Sequence, residues 1–431
     1  MKPDQSKIVN SVSAILQYND EIYMVKRAPY LRAFPGFLSF PGGKKEEDES
    51  DQDTLVRELK EELNFDLALN RNLIKTIKAV GDATAPIFVP YRFTNHFWLV
   101  ELTEKIDFNI DATEAEWGKW NKISNWINEF EDGLHLIIPP ILKILKSFDK
   151  EFYIGENLDI HEYYDMDKIP LVPFINNFYI LPTPSNTLPP FDTTNAFFIN
   201  DILVDPSPKD ELTLNRLLKT FENRELKAVM LTHHHPDHIQ NSNTFAKLKN
   251  LPMFLSQDTF NRISRKHNGY FDNINVKIIR EDDIVTTWNG ENVIVHEVPG
   301  HDHGQLALTV PSKKWFIVGD LIQAAGSVVI ADPEGDMIEY FSTLKKVIEY
   351  NPKIILPSHG LPTSTVYALE RTLEHRIERE EQVFKLAQSN KSESEMLELI
   401  YGKLKLSELL KLLALKNIES HLKKLKIEKR I

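Results

Sequence analysis

Apolar positions in the first third of the chain follow the spacing of strands and then of a helix. Residues 9–25 alternate weakly between apolar and polar side chains, which predicts one or two strands, and a loop punctuated by proline and glycine follows. Leu55, Leu59 and Leu63 recur at helical spacing and predict one apolar helix face. Further elements are predicted in the order strand, strand and helix, at 73–80, 94–102 and 139–150. This order predicts an α/β unit that ends near residue 150.

Short apolar runs separated by helical segments dominate the middle of the chain. A segment rich in proline, asparagine and aspartate, residues 151–192, precedes them and marks a boundary. Helices are predicted at 210–221 and after Pro236, and the rest of this region is mainly strands. The predicted strands lie at 195–199, 201–207, 227–232, 276–279, 292–298, 306–310, 314–320 and 353–360. This alternation predicts a second α/β unit, and from Thr365 onward the pattern becomes helical and charged.

Composition narrows the class of protein. A length of 431 residues is typical of two or three domains, and the absence of a long apolar run argues against a membrane span. The first residues lack the features of a secretory signal or transit peptide, which predicts a cytoplasmic location. With no cysteine, any metal must be bound by His, Asp or Glu. The net charge of −12 argues against a protein that coats nucleic acid, although the last thirty residues are rich in lysine.

Four of the 14 histidines lie in one stretch, "HHHPDH", directly after a predicted strand. His233 and His235 are two residues apart, so on an extended backbone they point the same way and can share one metal. Pro236 suits the first turn of a helix, and Asp237 and His238 would follow it and diverge from the first pair. The stretch alone therefore predicts two neighbouring metal sites.

Three later positions can complete the coordination of these metals. His301 in "VPGHDHG", Asp320 in "IVGDL" and His359 in "LPSHG" each follow or close an apolar run and have a glycine nearby. A zinc-like ion needs about four or five donors, with one position left open for water. These three residues supply the missing histidine, carboxylate and histidine.

Together these stretches resemble the motif of the metallo-β-lactamase superfamily, His-x-His-x-Asp-His followed by a lone His, an Asp and a final His. The resemblance implies an αββα sandwich over 175–365 that binds two transition-metal ions, with zinc as first choice and manganese or iron as alternatives. It assigns His233, His235 and His301 to one metal, Asp237, His238 and His359 to the other, and Asp320 to a bridge between them. Asp205 matches an early strand-end Asp that supports the site without binding metal. His234 occupies the variable position and is predicted not to bind.

The resemblance implies hydrolysis of an ester, thioester or phosphodiester by a metal-bound hydroxide. Two cations lower the pKa of a shared water, and one of them polarises the oxygen under attack. Asp237 would also act as a catalytic residue that orients the nucleophile. No motif includes His296 or His303, which are predicted to be surface or supporting histidines.

A second group of charged residues lies between residues 43 and 65, where a glycine loop leads into a helix. Glu58, Glu61 and Glu62 are spaced i, i+3 and i+4, so three carboxylates crowd one helical face. A hard cation such as Mg²⁺ or Mn²⁺ would relieve their repulsion and would in turn bind a pyrophosphate. The alternative is a solvated acidic helix face.

The same stretch resembles the Nudix box, with one departure, Asn64 where the family has glycine. Asn tolerates a left-handed helix end, so the turn can survive. The positions in register are Gly43, Glu49, Arg57, Glu58, Leu59, Glu61, Glu62 and Phe65. The resemblance implies an α/β/α sandwich over 1–150 that cleaves a nucleoside diphosphate-linked substrate, with coenzyme A as a candidate.

By this resemblance, Mg²⁺ or Mn²⁺ is bound by Glu58, Glu61 and Glu62, and Glu62 is catalytic. Glu49 would pair with Arg57 to brace the loop against the helix. The candidates for a base or a fourth ligand are Glu101, Glu114 and Glu116.

The basic end of the chain leaves two functions open. Residues 366–431 resemble the winged-helix-like appendage of a metallo-β-lactamase branch that includes single-strand ribonucleases. The alternative function is therefore an endoribonuclease or nucleic-acid phosphodiesterase that binds RNA through this segment, with the Nudix domain binding or regulating. A packing or dimerisation role is equally compatible with the pattern.

The sequence thus predicts an α/β multidomain, metal-dependent hydrolase with two hydrolytic sites. Its parts are a Nudix domain (1–150), a linker (151–174), a metallo-β-lactamase-like domain (175–365) and a helical module (366–431). The predicted substrates are a small nucleotide and an ester, thioester or phosphodiester, without a membrane partner, and the oligomeric state is left open.

Overall fold

A computed structural model describes residues 8–89, 92–150, 158–324, 326–404 and 406–431. The chain forms two compact units, of which the first runs to Ile180 and includes Pro362–Ser364. The second comprises Leu181–Leu361 and Thr365–Ile431. The beginning of the predicted linker, residues 151–157, and Lys405 of the basic segment lie outside the described residues.

The first unit is built on a seven-stranded sheet that lies between helices. Its elements are β1 (Val9–Tyr18), β2 (Glu21–Arg27), β3 (Leu38–Ser39), β4 (Gly42–Lys44), α1 (Asp51–Leu63), β5 (Ile74–Thr84), β6 (Phe93–Leu102), β7 (Ala115–Lys122), α2 (Ile123–Glu131), α3 (Pro139–Asp149) and β8 (Val172–Ile175). The sheet has the order β3-β2-β1-β6-β5, with β4 also paired to β1 and β7 to β2. Strands β1 and β6 are parallel, and the other pairs are antiparallel.

Alternation along β1 explains the two layers of helices. Ile15 belongs to a buried cluster with Trp126 of α2 and Ile141 of α3. Its neighbour Leu16 points to the opposite face and belongs to a cluster with Leu59 of α1. The predicted α/β/α sandwich is therefore confirmed.

The second unit contains two sheets and eight helices among its described residues. Its elements are β9 (Phe178–Pro184, which begins in the first unit), β10 (Thr193–Ile199), β11 (Ile202–Val204), α4 (Glu211–Thr220), β12 (Ala228–Met230), α5 (Pro236–Ile239), α6 (Ser242–Lys249), β13 (Met253–Leu255), α7 (Gln257–Lys266), β14 (Val276–Ile278), β15 (Ile284–Trp288), β16 (Glu291–Glu297), β17 (Leu306–Thr309), β18 (Trp315–Gly319), α8 (Met337–Tyr350), β19 (Ile354–Pro357), α9 (Tyr367–Gln388), α10 (Glu393–Tyr401) and α11 (Glu408–Ile427). Within this unit the strand order of one sheet is β14-β13-β12-β11-β10-β9, and the order of the other is β15-β16-β17-β18-β19. The prediction of a mixed α/β multidomain protein is confirmed.

Strand direction places the loops that follow β12, β18 and β19 at the carboxyl ends of their strands. Strands β11 to β14 are parallel, and so are β18 and β19. Helix α8 packs on the second sheet, where Leu344 joins a buried cluster with Val318 and Ile355. Residues that follow β12, β18 and β19 therefore emerge at carboxyl ends, where parallel sheets commonly place binding sites.

From Tyr367 onward, every regular element of the described residues is a helix, so the prediction of a helical segment is confirmed. These residues contain no strand that could form the wing of a winged helix. Val383 of α9, Met396 of α10 and Ile418 of α11 share one buried cluster. Several basic side chains of this segment are paired, as with Lys424 Nζ, which lies 2.8 Å from Glu380 Oε1. No helix in the described ranges is long and apolar enough to cross a bilayer.

Candidate functional site

Side chains from four strand ends meet in the second unit. The "HHHPDH" stretch follows β12, His301 follows β16, Asp320 follows β18 and His359 follows β19. The structure brings together all seven residues predicted as ligands, namely His233, His235, Asp237, His238, His301, Asp320 and His359. They form two adjacent groups.

Three imidazoles form the first group. His233 Nε2 lies 3.0 Å from His235 Nδ1, and His301 Nε2 lies 2.9 Å from the same atom. Burial lowers the pKa of His301 to about 4, with a further contribution from the nearby His235, and it lowers the pKa of His233 as well. The cluster therefore keeps His233 and His301 neutral, which is the form that binds metal.

The second group combines an imidazole pair with carboxylates. His359 Nε2 lies 3.3 Å from Asp237 Oδ2 and 3.5 Å from Asp320 Oδ2. Asp320 also lies between the groups, since its carboxylate is 3.4 Å from His238 Nε2 and 3.7 Å from His301 Nε2. This is the position that a bridging carboxylate would occupy.

The donor set fits divalent metal ions. Within the part of the chain that the structure describes, the buried atoms His238 Nε2 and Asp320 Oδ1 have no hydrogen-bond partner. A buried polar atom without a partner is costly unless another group satisfies it. Several combinations of three ligand atoms in this cluster lie within 4.8 Å of one another. Imidazole and carboxylate ligands of this kind suit zinc, manganese or iron.

Asp205 supports the second group from behind. Its Oδ2 accepts hydrogen bonds from His238 Nδ1 at 2.8 Å and from Thr232 Oγ1 at 2.6 Å, while its Oδ1 accepts one from Thr232 N at 2.8 Å. Asp205 is fully buried and has a φ of 48°, so it lies in the left-handed region. Its bond to Nδ1 directs His238 Nε2 into the cluster.

Backbone carbonyls orient two other rings in the same way. His301 Nδ1 donates to the carbonyl oxygen of Val329 at 2.9 Å, and His359 Nδ1 donates to that of Thr193 at 3.2 Å. In both cases Nε2 faces the cluster. These carbonyl partners could not be recognised from the sequence, because backbone groups leave no residue signature.

A ring nitrogen of His234 lies within 4.8 Å of ligand atoms of His235 and Asp302, whereas His234 is in neither of the two groups. Its Nδ1 lies 2.6 Å from Asp302 Oδ2, and its Nε2 lies 3.2 Å from Glu334 Oε1. Glu334 also lies 3.3 Å from His235 Nε2 and 2.6 Å from Lys266 Nζ. The sequence interpretation missed both carboxylates, and the only available signal for Asp302 was its position beside His301.

The histidines that no motif included form peripheral contacts. His303 Nδ1 lies 2.6 Å from Glu339 Oε2, and His296 Nδ1 lies 2.9 Å from Glu281 Oε1. Neither is among the clustered ligand groups found in the described residues.

In the first unit, Arg57 organises the carboxylates of α1. Its Nε and Nη2 donate to Glu49 at 2.7 and 3.0 Å, and its Nη1 donates to Glu58 at 2.7 Å and to Glu61 at 3.0 Å. The bonds from Arg57 are the largest cause that lowers the pKa of Glu49 to about 2. The predicted pairing of Glu49 with Arg57 is thus present in the structure.

The glycine loop approaches this helix closely. A Cβ on Gly43 would lie 2.5 Å from the carboxylate oxygens of Glu58, so a larger residue would displace that side chain. Glu62 accepts a hydrogen bond from Gly42 N at 2.9 Å, and burial raises the pKa of Glu62 to about 8. The helix ends at Asn64, which has a φ of 53° and donates its backbone N–H to Leu59.

A polar cavity of about 500 Å³ opens beside these carboxylates, with Arg27 and Asp111 also on its wall. Of the three candidate bases, Glu114 lines this cavity. The other two form ion pairs, Glu101 with Lys75 and Glu116 with Lys26. The structure therefore brings Glu58, Glu61, Glu62 and Glu114 to one cavity.

A second cavity of about 530 Å³ shares Arg27, Gly42 and Gly43 with the first. Its wall also includes the aromatic rings of Phe34 and Phe93, whose centroids are 6.0 Å apart. The two cavities thus join an anionic corner to a partly aromatic wall.

Comparisons with known proteins match both regions. Residues 189–359 match the family model of the metallo-beta-lactamase superfamily, and residues 7–131 match that of the NUDIX domain. A hydroxyacylglutathione hydrolase from Bdellovibrio bacteriovorus is 25% identical over 179 residues, which cover 39% of this chain and 64% of the relative. An 8-oxo-dGTP diphosphatase from Proteus vulgaris is 32% identical over 107 residues, which cover 24% of this chain and 88% of the relative.

Among solved structures, a beta-lactamase domain protein from Burkholderia ambifaria superposes with a TM-score of 0.50 at 20% identity. The superposition covers 59% of this chain and 86% of that protein. At this level of identity the likeness shows a shared fold.

Proposed function

This chain belongs to the NUDIX family and also carries a metallo-beta-lactamase superfamily domain, which makes it a hydrolase, and we propose that each domain has its own metal-dependent hydrolytic site. The observation that carries the proposal is the convergence of seven His and Asp side chains on two adjacent points in the second unit. The crowding of carboxylates beside a cavity in the first unit supports the second site.

In the second unit, we assign His233, His235 and His301 to one metal ion and Asp237, His238 and His359 to the other. Asp320 is assigned to both, because its carboxylate contacts both groups. Bound divalent ions would supply an activated water and would polarise the group under attack. Asp237 would accept a hydrogen bond from that water and orient it, which is the catalytic role predicted for it.

For the second unit, an acyl ester or thioester is the substrate that we favour. Phe191 stacks on His359 with ring centroids 5.6 Å apart, and Leu188 in the same loop is 45% exposed. An apolar acyl group could contact these side chains while its carbonyl faces the Asp and His cluster. The match to a relative named hydroxyacylglutathione hydrolase supports the same class.

For the first unit, we propose a nucleoside diphosphate-linked substrate, with coenzyme A as a candidate. Glu58, Glu61 and Glu62 would hold Mg²⁺ or Mn²⁺, and the cation would bind the diphosphate. Phe34 and Phe93 offer aromatic surface for the base, in keeping with the match to a relative named 8-oxo-dGTP diphosphatase.

In the test, the purified full chain is supplied with Zn²⁺ or Mn²⁺ and incubated with three kinds of substrate. These are acyl thioesters, nucleoside diphosphate derivatives including coenzyme A, and single-stranded RNA. His235→Ala is expected to abolish thioester hydrolysis alone, and Glu62→Ala to abolish diphosphate hydrolysis alone. His303→Ala, which changes a peripheral histidine, is the matched control and should retain both activities. Cleavage of RNA without thioester turnover would favour the ribonuclease alternative, and activity that survives both substitutions would overturn the site assignments.

A further inference from the structure

The loop between β18 and α8 contacts two of the histidines assigned to the metal centre. The carbonyl oxygen of Val329 accepts the hydrogen bond from His301 Nδ1 at 2.9 Å. Five residues later, the carboxylate of Glu334 lies 3.3 Å from His235 Nε2. Each contact is made with the ring nitrogen that faces away from the cluster, so residues 328–336 help to set the orientation of two imidazoles.

Side chains of helix α11 form hydrogen bonds with the backbone of this loop. Asn417 Oδ1 accepts a hydrogen bond from Ile330 N at 2.9 Å, and Asn417 Nδ2 donates to the carbonyl oxygen of Val328 at 3.5 Å. Ser420, one turn further along the helix, donates to the carbonyl oxygen of Ile330 at 2.6 Å. Two side chains of α11 thus bind the backbone on both sides of Val329, the residue whose carbonyl holds His301.

The residues that make these contacts are buried. Asn417 and Ser420 are each 6% exposed, and Ile330 is fully buried. Polar groups in such surroundings need their partners, because water cannot replace a lost hydrogen bond. Arg376 of α9 adds a hydrogen bond to the carbonyl oxygen of Val328.

The far end of the loop is also held. Lys423 of α11 lies 2.5 Å from Asp332 Oδ1 and 3.7 Å from Asp336 Oδ2. A Cβ on Gly335 would lie 2.5 Å from the carbonyl oxygens of Gly300 and His301, so glycine permits the loop to approach the backbone of His301. The loop therefore contacts both α11 and the segment that carries His301.

We infer that helix α11 is a positioning element of the metal centre, in which Asn417 and Ser420 place the 328–336 loop and thereby fix the orientation of His301 and His235. The inference rests on the proposed metal-binding role of these histidines. It assigns to the C-terminal helices a part in metal affinity beyond packing, because partners of the outward ring nitrogens tune how well imidazoles bind metal.

The experiment compares the full-length wild type with Asn417→Ala and Ser420→Ala. Lys424→Met is the matched control, because Lys424 lies on the same helix and is buried, but pairs with Glu380 within the C-terminal helices. Zn²⁺-loaded proteins are titrated with EDTA and the zinc that remains per chain is measured. The visible absorption of the Co²⁺-substituted proteins reports ligand geometry, and thermal unfolding of the metal-free proteins reports folding.

We expect Asn417→Ala to release zinc at about a tenfold lower EDTA concentration and to alter the Co²⁺ spectrum, with Ser420→Ala changing both in the same direction. Lys424→Met should lower the unfolding temperature and leave zinc retention and the Co²⁺ spectrum unchanged. If Asn417→Ala does not fold, the milder Ser420→Ala decides the question alone. Unchanged zinc retention and spectra in Asn417→Ala and Ser420→Ala, or in whichever of the two folds, would overturn the inference. An equal loss in Lys424→Met would also overturn it. A wild type that binds no zinc would instead overturn the proposed function.

Discussion

Replacing Asp205 by asparagine tests whether the buried carboxylate behind His238 controls metal affinity. Three donors converge on Asp205, namely Thr232 N, Thr232 Oγ1 and His238 Nδ1. Asparagine tolerates the left-handed backbone at this position, so the turn should persist. It has only one acceptor oxygen, however, and its NH₂ group would face a donor. At least one charge-assisted hydrogen bond is then lost, which costs about 1.5–3 kcal/mol.

The lost hydrogen-bond free energy lowers both the stability of the fold and the affinity for metal. Since the bond to Nδ1 orients His238, we expect Asp205→Asn to weaken metal binding by about 10- to 100-fold. Chelator competition on the zinc-loaded protein measures the affinity, and thermal unfolding of the metal-free protein measures the cost to the fold. Asp201→Asn is the control, because Asp201 pairs with Lys227 and Thr286, which lie in the same unit but are not among the clustered ligands. If Asp205→Asn releases zinc at the same chelator concentration as the wild type, Asp205 does not support the metal centre.

Three further changes address the first unit and the C-terminal helices. Glu62→Gln removes a carboxylate assigned to the cation, so diphosphate hydrolysis should fall at least about 100-fold in initial-rate assays. The thioester activity of the same protein serves as an internal control, and an equal loss of both activities would contradict separate sites. Arg57→Lys cannot form the two-pronged contact with Glu49, and denaturant unfolding should show a lower midpoint, whereas an unchanged midpoint would refute a bracing role. Although burial alone would raise the pKa of Glu380, the hydrogen bond with His421 and the pairing with Lys424 lower this pKa from 4.5 to about 2. The stability that Glu380 contributes is therefore present above pH 4.5 and is lost as the pH falls towards 2. Thermal unfolding against pH should therefore show a steeper acid loss for the wild type than for Glu380→Gln, and parallel curves would contradict this.

The histidine-rich site was predictable because its information is local. His233, His235 and His238 are fixed relative to one another by a strand end and a short helix, and His301 and His359 each follow an apolar run. The carboxylates of α1 were predictable for the same reason, because their spacing in the sequence places them on one face of the helix. Local spacing in the sequence therefore located both clusters.

Elements that depend on tertiary packing were harder to predict. The short strand β13 (Met253–Leu255) is stabilised by parallel pairing with neighbours distant in sequence, so its three residues carry almost no pattern of their own. Glu334 is separated from His235 by 99 positions, and nothing in the sequence around it indicates that contact. Backbone partners such as the Val329 carbonyl leave no trace in residue identity. The missing part of the prediction is therefore the set of contacts that only the fold creates.

Asn64, the residue that closes helix α1 with a φ of 53°, has a consequence for how relatives of this chain are sought. A search pattern that requires glycine at this position would reject the chain, although the turn and the carboxylates before it are intact. The turn there needs a left-handed backbone conformation, which asparagine also adopts. Patterns written to accept either residue at such turns would recover divergent members that a letter-by-letter consensus excludes.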